Sequence, residues 1–203
     1  MLDWDEDSPR LRQNLSKLLR KILADARKRL PLSSDSIRRW HAAAMHGLNL
    51  PPDAPKNSVG KFRGERGLED IGIHIAGEDG VSPAEVAGAL AKFDATLRQL
   101  LAQLDEWIPA DAIPTSDLLP AVLDVCAWVH AEWVRIHPFA NGNGRTARLL
   151  ANAIAMRYGM PPFIRLRPRP DGDYATACEA AMRGDWRPTV SVFSEMLMET
   201  LIE

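Results

Sequence analysis

One twelve-residue run constrains the fold of this chain more than any other stretch. Residues 137–148 read His-Pro-Phe-Ala-Asn-Gly-Asn-Gly-Arg-Thr-Ala-Arg and lie between two segments with helical periodicity. Pro138 disfavours helical geometry in the residue before it, and Gly142 permits backbone conformations that other residues resist. The run therefore predicts a tight turn between two helices, with Phe139 pointing inward as its anchor.

Helix signals dominate the rest of the chain, because apolar residues recur every three or four positions in each long segment. The first helix begins at Ser8-Pro9 and carries apolar residues as far as Leu30, and Ser34 caps a second helix that ends near Gly47. Ser82 opens a capping box for a third helix. Four more helices are predicted, at about 118–136, 144–159, 173–183 and 188–201.

Residues 49–80 are irregular and rich in Pro, Gly and Asp. Within this region only 59–63 and 71–75 are typical of strands, and 64–70 would join them in a short hairpin. The fold predicted from the residues is mostly α: a single helical domain over 34–203 with a small β-hairpin. Residues 1–33 would form an N-terminal helical extension to it.

Composition indicates an ordinary globular protein of 203 residues, with 46% hydrophobic and 26% charged residues. A net charge of −2 gives no bias towards nucleic acid, and the basic face of the first helix is typical of a solvated surface. The first seven residues are acidic, unlike a signal peptide, and no apolar run reaches membrane-spanning length. We therefore expect a cytoplasmic protein without membrane or nucleic-acid partners. Delivery into another cell by a secretion system would leave no compositional mark.

The twelve-residue run also carries the residues best suited to chemistry. His137 can move a proton near neutral pH. Gly142-Asn143-Gly144 can aim backbone N–H groups at one anion, and Arg145 and Arg148 suit phosphate oxygens on one face of the following helix. A helix corner with glycines, a stacked histidine and two surface arginines also occurs without catalysis. The residue types alone leave both interpretations open.

The run resembles the signature of the Fic family, His-Pro-Phe-x-[Asp/Glu]-Gly-Asn-Gly-Arg-x-x-Arg, at every specified position except Asn141. Residues 60–63, Gly-Lys-Phe-Arg, are similar to the segment before the family's β-hairpin flap. The resemblance covers roughly residues 34–195. Further positions that support it are His130, Ile136, Tyr174, Ala177, Ala181, Gly184 and Asp185.

The resemblance implies a protein adenylyltransferase, which transfers AMP from ATP to a Ser, Thr or Tyr hydroxyl of a target protein. His137 would be the general base. Gly142, Asn143 and Gly144 would surround the α and β phosphates, Arg145 would contact the β phosphate and Arg148 the γ phosphate. The flap would hold the target by strand addition. Its residues would be Lys61, Phe62, Arg63, Ile73 and His74.

Asn141 stands where the family carries Asp or Glu, whose carboxylate holds Mg²⁺ between the phosphates. An amide oxygen can ligate a hard cation but adds no negative charge, so Mg²⁺, or Mn²⁺ in its place, would bind more weakly here. Three outcomes follow. Transfer persists with weaker metal dependence, or another phosphate-containing donor or metal arrangement is used, or the fold binds nucleotide or peptide without turnover.

Many Fic enzymes are inhibited by a helix with the pattern Ser/Thr-x-x-x-Glu-Gly/Asn. No glutamate in this sequence is followed by Gly or Asn. The resemblance therefore implies either a separate small antitoxin that supplies the helix and contacts Arg148, or no regulation of this kind.

The remaining candidates have structural interpretations. His130 is expected to pack near the run through a hydrogen bond rather than to bind metal. Surface or helix-end roles suffice for His41 and His46, and His74 is either an exposed strand residue or a substrate contact. Cys126 and Cys178 are each expected to be a buried small hydrophobe. Core or half-buried packing is expected of Trp107, Trp128, Trp133 and Trp186.

Overall fold

The computed structural model describes residues 8–202 except positions 53, 76 and 111. Over these residues the chain forms seven α-helices and one two-stranded antiparallel sheet, which confirms the predicted fold class. In chain order the elements are α1 (Pro9–Arg27), α2 (Ser34–Met45), β1 (His74–Ile75), β2 (Glu78–Asp79), a 3₁₀ turn (Pro83–Glu85), α3 (Val86–Trp107), α4 (Leu119–Ile136), α5 (Asn143–Arg157), α6 (Asp173–Met182) and α7 (Arg187–Ile202).

Helix α5 lies at the centre of the fold, and all of its residues except Gly144 are buried. Helix α4 packs along α5 and also contacts α3, α6 and α7, while α1 and α2 pack on α5 from elsewhere. The turn that joins α4 to α5, residues 138–142, is buried as well. The predicted inward position of Phe139 is confirmed, since its side chain is fully buried.

The predicted start of α1 is confirmed, and that of α2 needs a correction. The Ser8 hydroxyl accepts hydrogen bonds from the backbone N–H groups of Arg10 and Leu11, and Pro9 is the first helical residue. Ser33, not Ser34, occupies the cap position of α2. Ser34 instead donates from its N–H and its hydroxyl to the Asp94 carboxylate, at 2.7 Å each. This pair ties α2 to α3.

The hairpin is present, and its first strand lies within the predicted segment 71–75, but the other predicted strand, 59–63, is wrong. The strands are His74–Ile75 and Glu78–Asp79, paired antiparallel with His74 opposite Asp79. Residues 59–63 form no strand, because Phe62 packs against Phe139 at 5.0 Å between ring centroids and its neighbour is bonded to the turn after α4. Two residues in each strand are too few for periodicity to reveal.

Smaller differences appear at helix ends. Helix α1 ends at Arg27, before Leu30, and Ser82 bonds the Glu85 side chain while a 3₁₀ turn precedes α3. Trp107, the last residue of α3, is 46% exposed, so its predicted burial is wrong.

The acidic residues 1–7 lie outside the described part. None of the described helices combines the length and apolar composition that a membrane span needs. The boundary between 1–33 and 34–203 stays a prediction.

Candidate active site

The backbone around His137 forms the tight turn that the sequence predicts, with a left-handed residue at each end of it. Helix α4 ends because His137 adopts a left-handed conformation, with φ 52° and ψ 55°, directly before Pro138. Gly142 is also left-handed, with φ 80°, and α5 begins at the next residue. A left-handed non-glycine residue costs free energy and persists only where its surroundings hold it.

The His137 side chain is held in one protonation form. Its Nδ1 lies 2.9 Å from the backbone carbonyl oxygen of Val134. Because a carbonyl oxygen only accepts, Nδ1 carries the proton and Nε2 keeps its lone pair. Burial, with a contribution from the charge of Arg63, lowers the pKa of His137 to about 4. The imidazole is therefore neutral at pH 7 and able to accept a proton.

Arg63 holds the backbone on which His137 sits. Its guanidinium donates to four carbonyl oxygens, of His137 at 2.7 Å, Ile136 at 3.0 Å, Val81 at 2.7 Å and Ile71 at 3.0 Å. Ile136 and His137 are at the end of α4, whereas Ile71 and Val81 flank the hairpin. Arg63 therefore joins the hairpin to the catalytic candidate, and its fully buried side chain faces the interior.

The start of α5 combines a locked side chain with helix-terminal amides. Asn143 accepts from the N–H of Phe139 and donates to the carbonyl of the same residue, at 2.8 Å each, so its side chain closes the turn. The first intrahelical bond of α5 runs from Thr146 N–H to Gly142 at 3.0 Å. The amides of Asn143 and Gly144 precede that bond, at the positive end of the helix dipole.

Two buried arginines follow on α5. Arg145 and Arg148 are each 1% exposed, which differs from the surface position of the non-catalytic interpretation. Arg145 lies against the Met45 sulfur. Arg148 donates to the Tyr174 hydroxyl and to the Leu166 carbonyl, at 3.2 Å each. Within the described residues no carboxylate forms an ion pair with Arg148. A buried cation of this kind is suited to an anionic ligand.

His130 packs next to Arg148 through a shared partner, Tyr174, which agrees with the hydrogen-bonded packing role predicted for it. Its Nε2 lies 2.8 Å from the hydroxyl of Tyr174, the residue that accepts a hydrogen bond from Arg148. Burial, together with the charges of Arg148 and Arg169, lowers the pKa of His130 to about 3. His130 is thus a neutral partner that positions Tyr174.

Asn141 is buried, with 4% exposure. Across the part of the chain that the structure describes, no group of three or more His, Cys, Asp or Glu side chains is placed to hold a metal ion. Asn141 offers a neutral amide oxygen as donor. A neutral amide fits, at most, a weak contact to a metal that arrives bound to phosphates.

The side chains of the predicted flap residues do not lie on one exposed surface. Phe62, Arg63 and Ile73 are buried, and Lys61 is half-buried. His74 is exposed and pairs with the Asp79 carboxylate at 2.9 Å. The structure therefore brings Arg63 together with His137 and leaves His74 on the exposed side of the hairpin.

Sequence reasoning missed His41, which was assigned a surface or helix-end role. His41 is 2% exposed and stacks on Phe139, with ring centroids 3.9 Å apart. Its two nitrogens bond Gly60 and Asn141. The available signal was helical spacing, because Ile37 and Met45 place His41 on the buried face of α2.

Comparison with known sequences gives one family. A sequence model of the Fic/DOC family matches residues 31–155. The protein adenylyltransferase Fic of Drosophila erecta is 34% identical over 116 residues, which are 57% of this chain and 22% of that protein. The protein of the same name from Nematostella vectensis is 43% identical over 79 residues, 39% of this chain and 18% of that protein. The chain thus spans about a fifth of the length of these relatives.

Two solved structures share the fold. A Fic domain containing signaling protein from Bacteroides thetaiotaomicron superposes with a TM-score of 0.66 at 19% identity, over 94% of this chain and 69% of that one. The BepC effector protein of Bartonella tribocorum, solved with bound AMPPNP, gives a TM-score of 0.61 at 18% identity, over 94% and 87% of the two chains. At these identities the likeness concerns the fold.

Proposed function

The chain belongs to the Fic/DOC family, and on this premise we propose that it is a protein adenylyltransferase that transfers AMP from ATP to a hydroxyl of a target protein. The observation that carries the proposal is the neutral His137, whose Nε2 keeps its lone pair. The turn 138–142 joins His137 to the amino end of α5, which carries the two buried arginines. The relatives named protein adenylyltransferase and the AMPPNP bound by BepC support it.

The reaction uses each part of this arrangement. His137 Nε2 accepts the proton of the target hydroxyl as its oxygen attacks the α phosphorus of ATP. The bond between the α phosphorus and the bridging oxygen breaks, and pyrophosphate leaves. The amides at the start of α5, with Arg145 and Arg148, neutralise the phosphate charge. The products are an AMP–protein phosphodiester and pyrophosphate.

ATP is the donor in this proposal, and Mg²⁺ or Mn²⁺ enters as its phosphate complex. Asn141 supplies at most one amide oxygen, so the metal is bound chiefly by the nucleotide. No step of the reaction is assigned to the ion. The concentration of Mg²⁺ or Mn²⁺ that half-saturates transfer is expected to be higher with Asn141 than with Asp or Glu at this position.

The partners follow from the same chemistry. The target is a Ser, Thr or Tyr hydroxyl on a segment that pairs with the hairpin through main-chain bonds. A separate antitoxin would act by placing a glutamate against Arg148, which has no carboxylate partner among the described residues.

The free cysteines Cys126 and Cys178 favour the cytoplasm as the compartment.

A second function is favoured by Asn141, because the neutral side chain weakens the metal contact. In this alternative the protein binds nucleotide, or a peptide at the hairpin, without transfer. A different phosphate-containing donor is the remaining possibility. Both differ from the main proposal in whether the α phosphate of ATP becomes covalently attached.

The test is label transfer from α-labelled ATP to proteins of a cell lysate, with Mg²⁺ or Mn²⁺. The His137→Ala variant is expected to lose roughly 10²–10⁴-fold in rate, the usual contribution of a general base. His46→Ala is the matched control, because His46 is exposed at the end of α2. Equal labelling by wild type and His137→Ala would overturn the role of His137. Nucleotide binding without labelling would favour the binding module.

A further inference from the structure

His41 is bonded at both ring nitrogens, which defines its hydrogen positions. Nδ1 lies 3.0 Å from the backbone nitrogen of Gly60, whose N–H donates to it. Because Nδ1 accepts, the proton of the neutral ring is on Nε2, which donates to the backbone carbonyl of Asn141 at 3.0 Å. Burial keeps the ring neutral by lowering the pKa of His41 to about 4.

The bond to Asn141 has a consequence on the other side of the peptide. In a trans peptide the carbonyl of one residue and the N–H of the next point in opposite directions. With the Asn141 carbonyl fixed towards His41, the Gly142 N–H points away from it. That amide belongs to the segment assigned to the phosphates.

The His41 ring also closes one side of the turn. A Cβ added to Gly142 would lie 3.3 Å from both Cδ2 and Nε2 of His41, so the two residues are in close contact. The His41 ring is itself held by stacking on the Phe139 ring, with an angle of 12° between the two planes. The His41 ring therefore occupies the space next to Gly142 on that side of the turn.

We propose that His41 is a positioning residue of the active site, which orients the Gly142 amide towards the phosphates of the donor by holding the Asn141 carbonyl. The inference rests on the proposed function for its ligand. It assigns His41 no contact with the nucleotide. The role depends on Nε2, while the bond from Gly60 to Nδ1 only tethers the loop before the hairpin.

Two substitutions separate the roles of the two nitrogens. The amide of His41→Gln reaches the place of Nε2 and can donate to Asn141. The side chain of His41→Asn reaches only the place of Nδ1 and can accept from Gly60. A purely structural role predicts similar effects of both changes, whereas the positioning role predicts that only the glutamine variant retains nucleotide affinity.

The experiment measures affinity for a non-hydrolysable ATP analogue and for inorganic triphosphate by calorimetry, with Tm recorded for each variant. His41→Gln is expected to bind within about threefold of wild type and His41→Asn roughly tenfold or more weakly, the effect of one hydrogen bond to a charged group. His46→Gln, at an exposed position, is the control. Equal affinities of the Asn and Gln variants would overturn the inference.

A second readout does not depend on the nucleotide. The residual dipolar coupling of the Gly142 N–H bond reports its direction, which should differ from wild type in His41→Asn and agree in His41→Gln. Unchanged direction in His41→Asn overturns the inference even if no nucleotide binds, whereas absence of binding by wild type would count against the proposed function alone. If His41→Asn does not fold, His41→Phe, which retains the ring on Phe139 and lacks both nitrogens, takes its place.

Discussion

The guanidinium of Arg63 donates a hydrogen bond of 2.7 Å to the backbone carbonyl of His137 across 74 positions of sequence. The backbone N–H of Arg63 makes a second bond of 2.7 Å, to the carbonyl of Pro138. Together they hold His137 in its left-handed conformation. Arg63, which is predicted to belong to the target-binding flap, thus holds the backbone of the candidate base His137 and couples the hairpin to it.

Replacing Arg63 by lysine should reduce both stability and transfer. An ammonium group has three donors and cannot serve four carbonyls arranged around a planar guanidinium. Buried carbonyls that lose their partner cost about 1–3 kcal/mol each, so unfolding in urea should show a loss of at least about 2 kcal/mol. Transfer should fall further than the folded fraction does. Arg66→Lys, at an exposed position, should change neither quantity.

Tyr174→Phe should weaken ATP binding by roughly threefold to tenfold. The change removes the hydroxyl that accepts from Arg148 and contacts His130, so the guanidinium loses one of its anchors. Calorimetry with a non-hydrolysable analogue measures the effect. Tyr158→Phe is the matched control, because its buried hydroxyl bonds Asp105 on α3 at 2.9 Å. It should lower Tm without altering affinity, and equal affinity losses would contradict the role of Tyr174.

Asn141→Asp should lower the Mg²⁺ concentration that half-saturates transfer by about tenfold or more. The substitution adds a negative charge where a metal–phosphate complex would lie, and it changes no side-chain volume appreciably. Titration of Mg²⁺ at fixed ATP measures it. Asn57→Asp, on an exposed loop, should leave the metal dependence as in wild type. An unchanged Mg²⁺ requirement in Asn141→Asp would remove position 141 from the metal contact.

Stability should fall as the pH drops from about 6.5 towards 4. The pKa values of His41 and His137 are lowered to about 4, so the folded state keeps them neutral while the unfolded chain takes up protons below about 6.5. Each such histidine contributes a slope of up to about 1.4 kcal/mol per pH unit in this window. Urea unfolding at several pH values should show a smaller slope for His41→Gln than for wild type, and equal slopes would contradict the lowered pKa of His41.

The sequence predicted those features whose cause is local. Ser8-Pro9 begins α1, and α4 is capped at His137, the residue before Pro138, because proline disfavours helical geometry in the residue that precedes it. Periodicity placed the buried faces of the helices, because a 3.6-residue repeat is visible within each segment. The end of α4 and the start of α5 were therefore predicted closely.

The missed features arise from contacts between distant segments. Arg63 and His41 act on residues 74 and 100 positions away, and no pattern within either segment reveals such a partner. The burial of His41 follows from its position among the apolar residues of α2, but its partners in the chain do not. The predicted strand 59–63 is wrong because Phe62 packs on Phe139 instead of continuing a strand.

The most direct test compares ATP labelled at the α phosphorus with ATP labelled at the γ phosphorus, using wild-type protein, a cell lysate and Mg²⁺ or Mn²⁺. Label is expected to reach protein from the α position only, and His137→Ala is expected to remove it. Label from the γ position only, or α label that persists in His137→Ala, would contradict AMP transfer by this site.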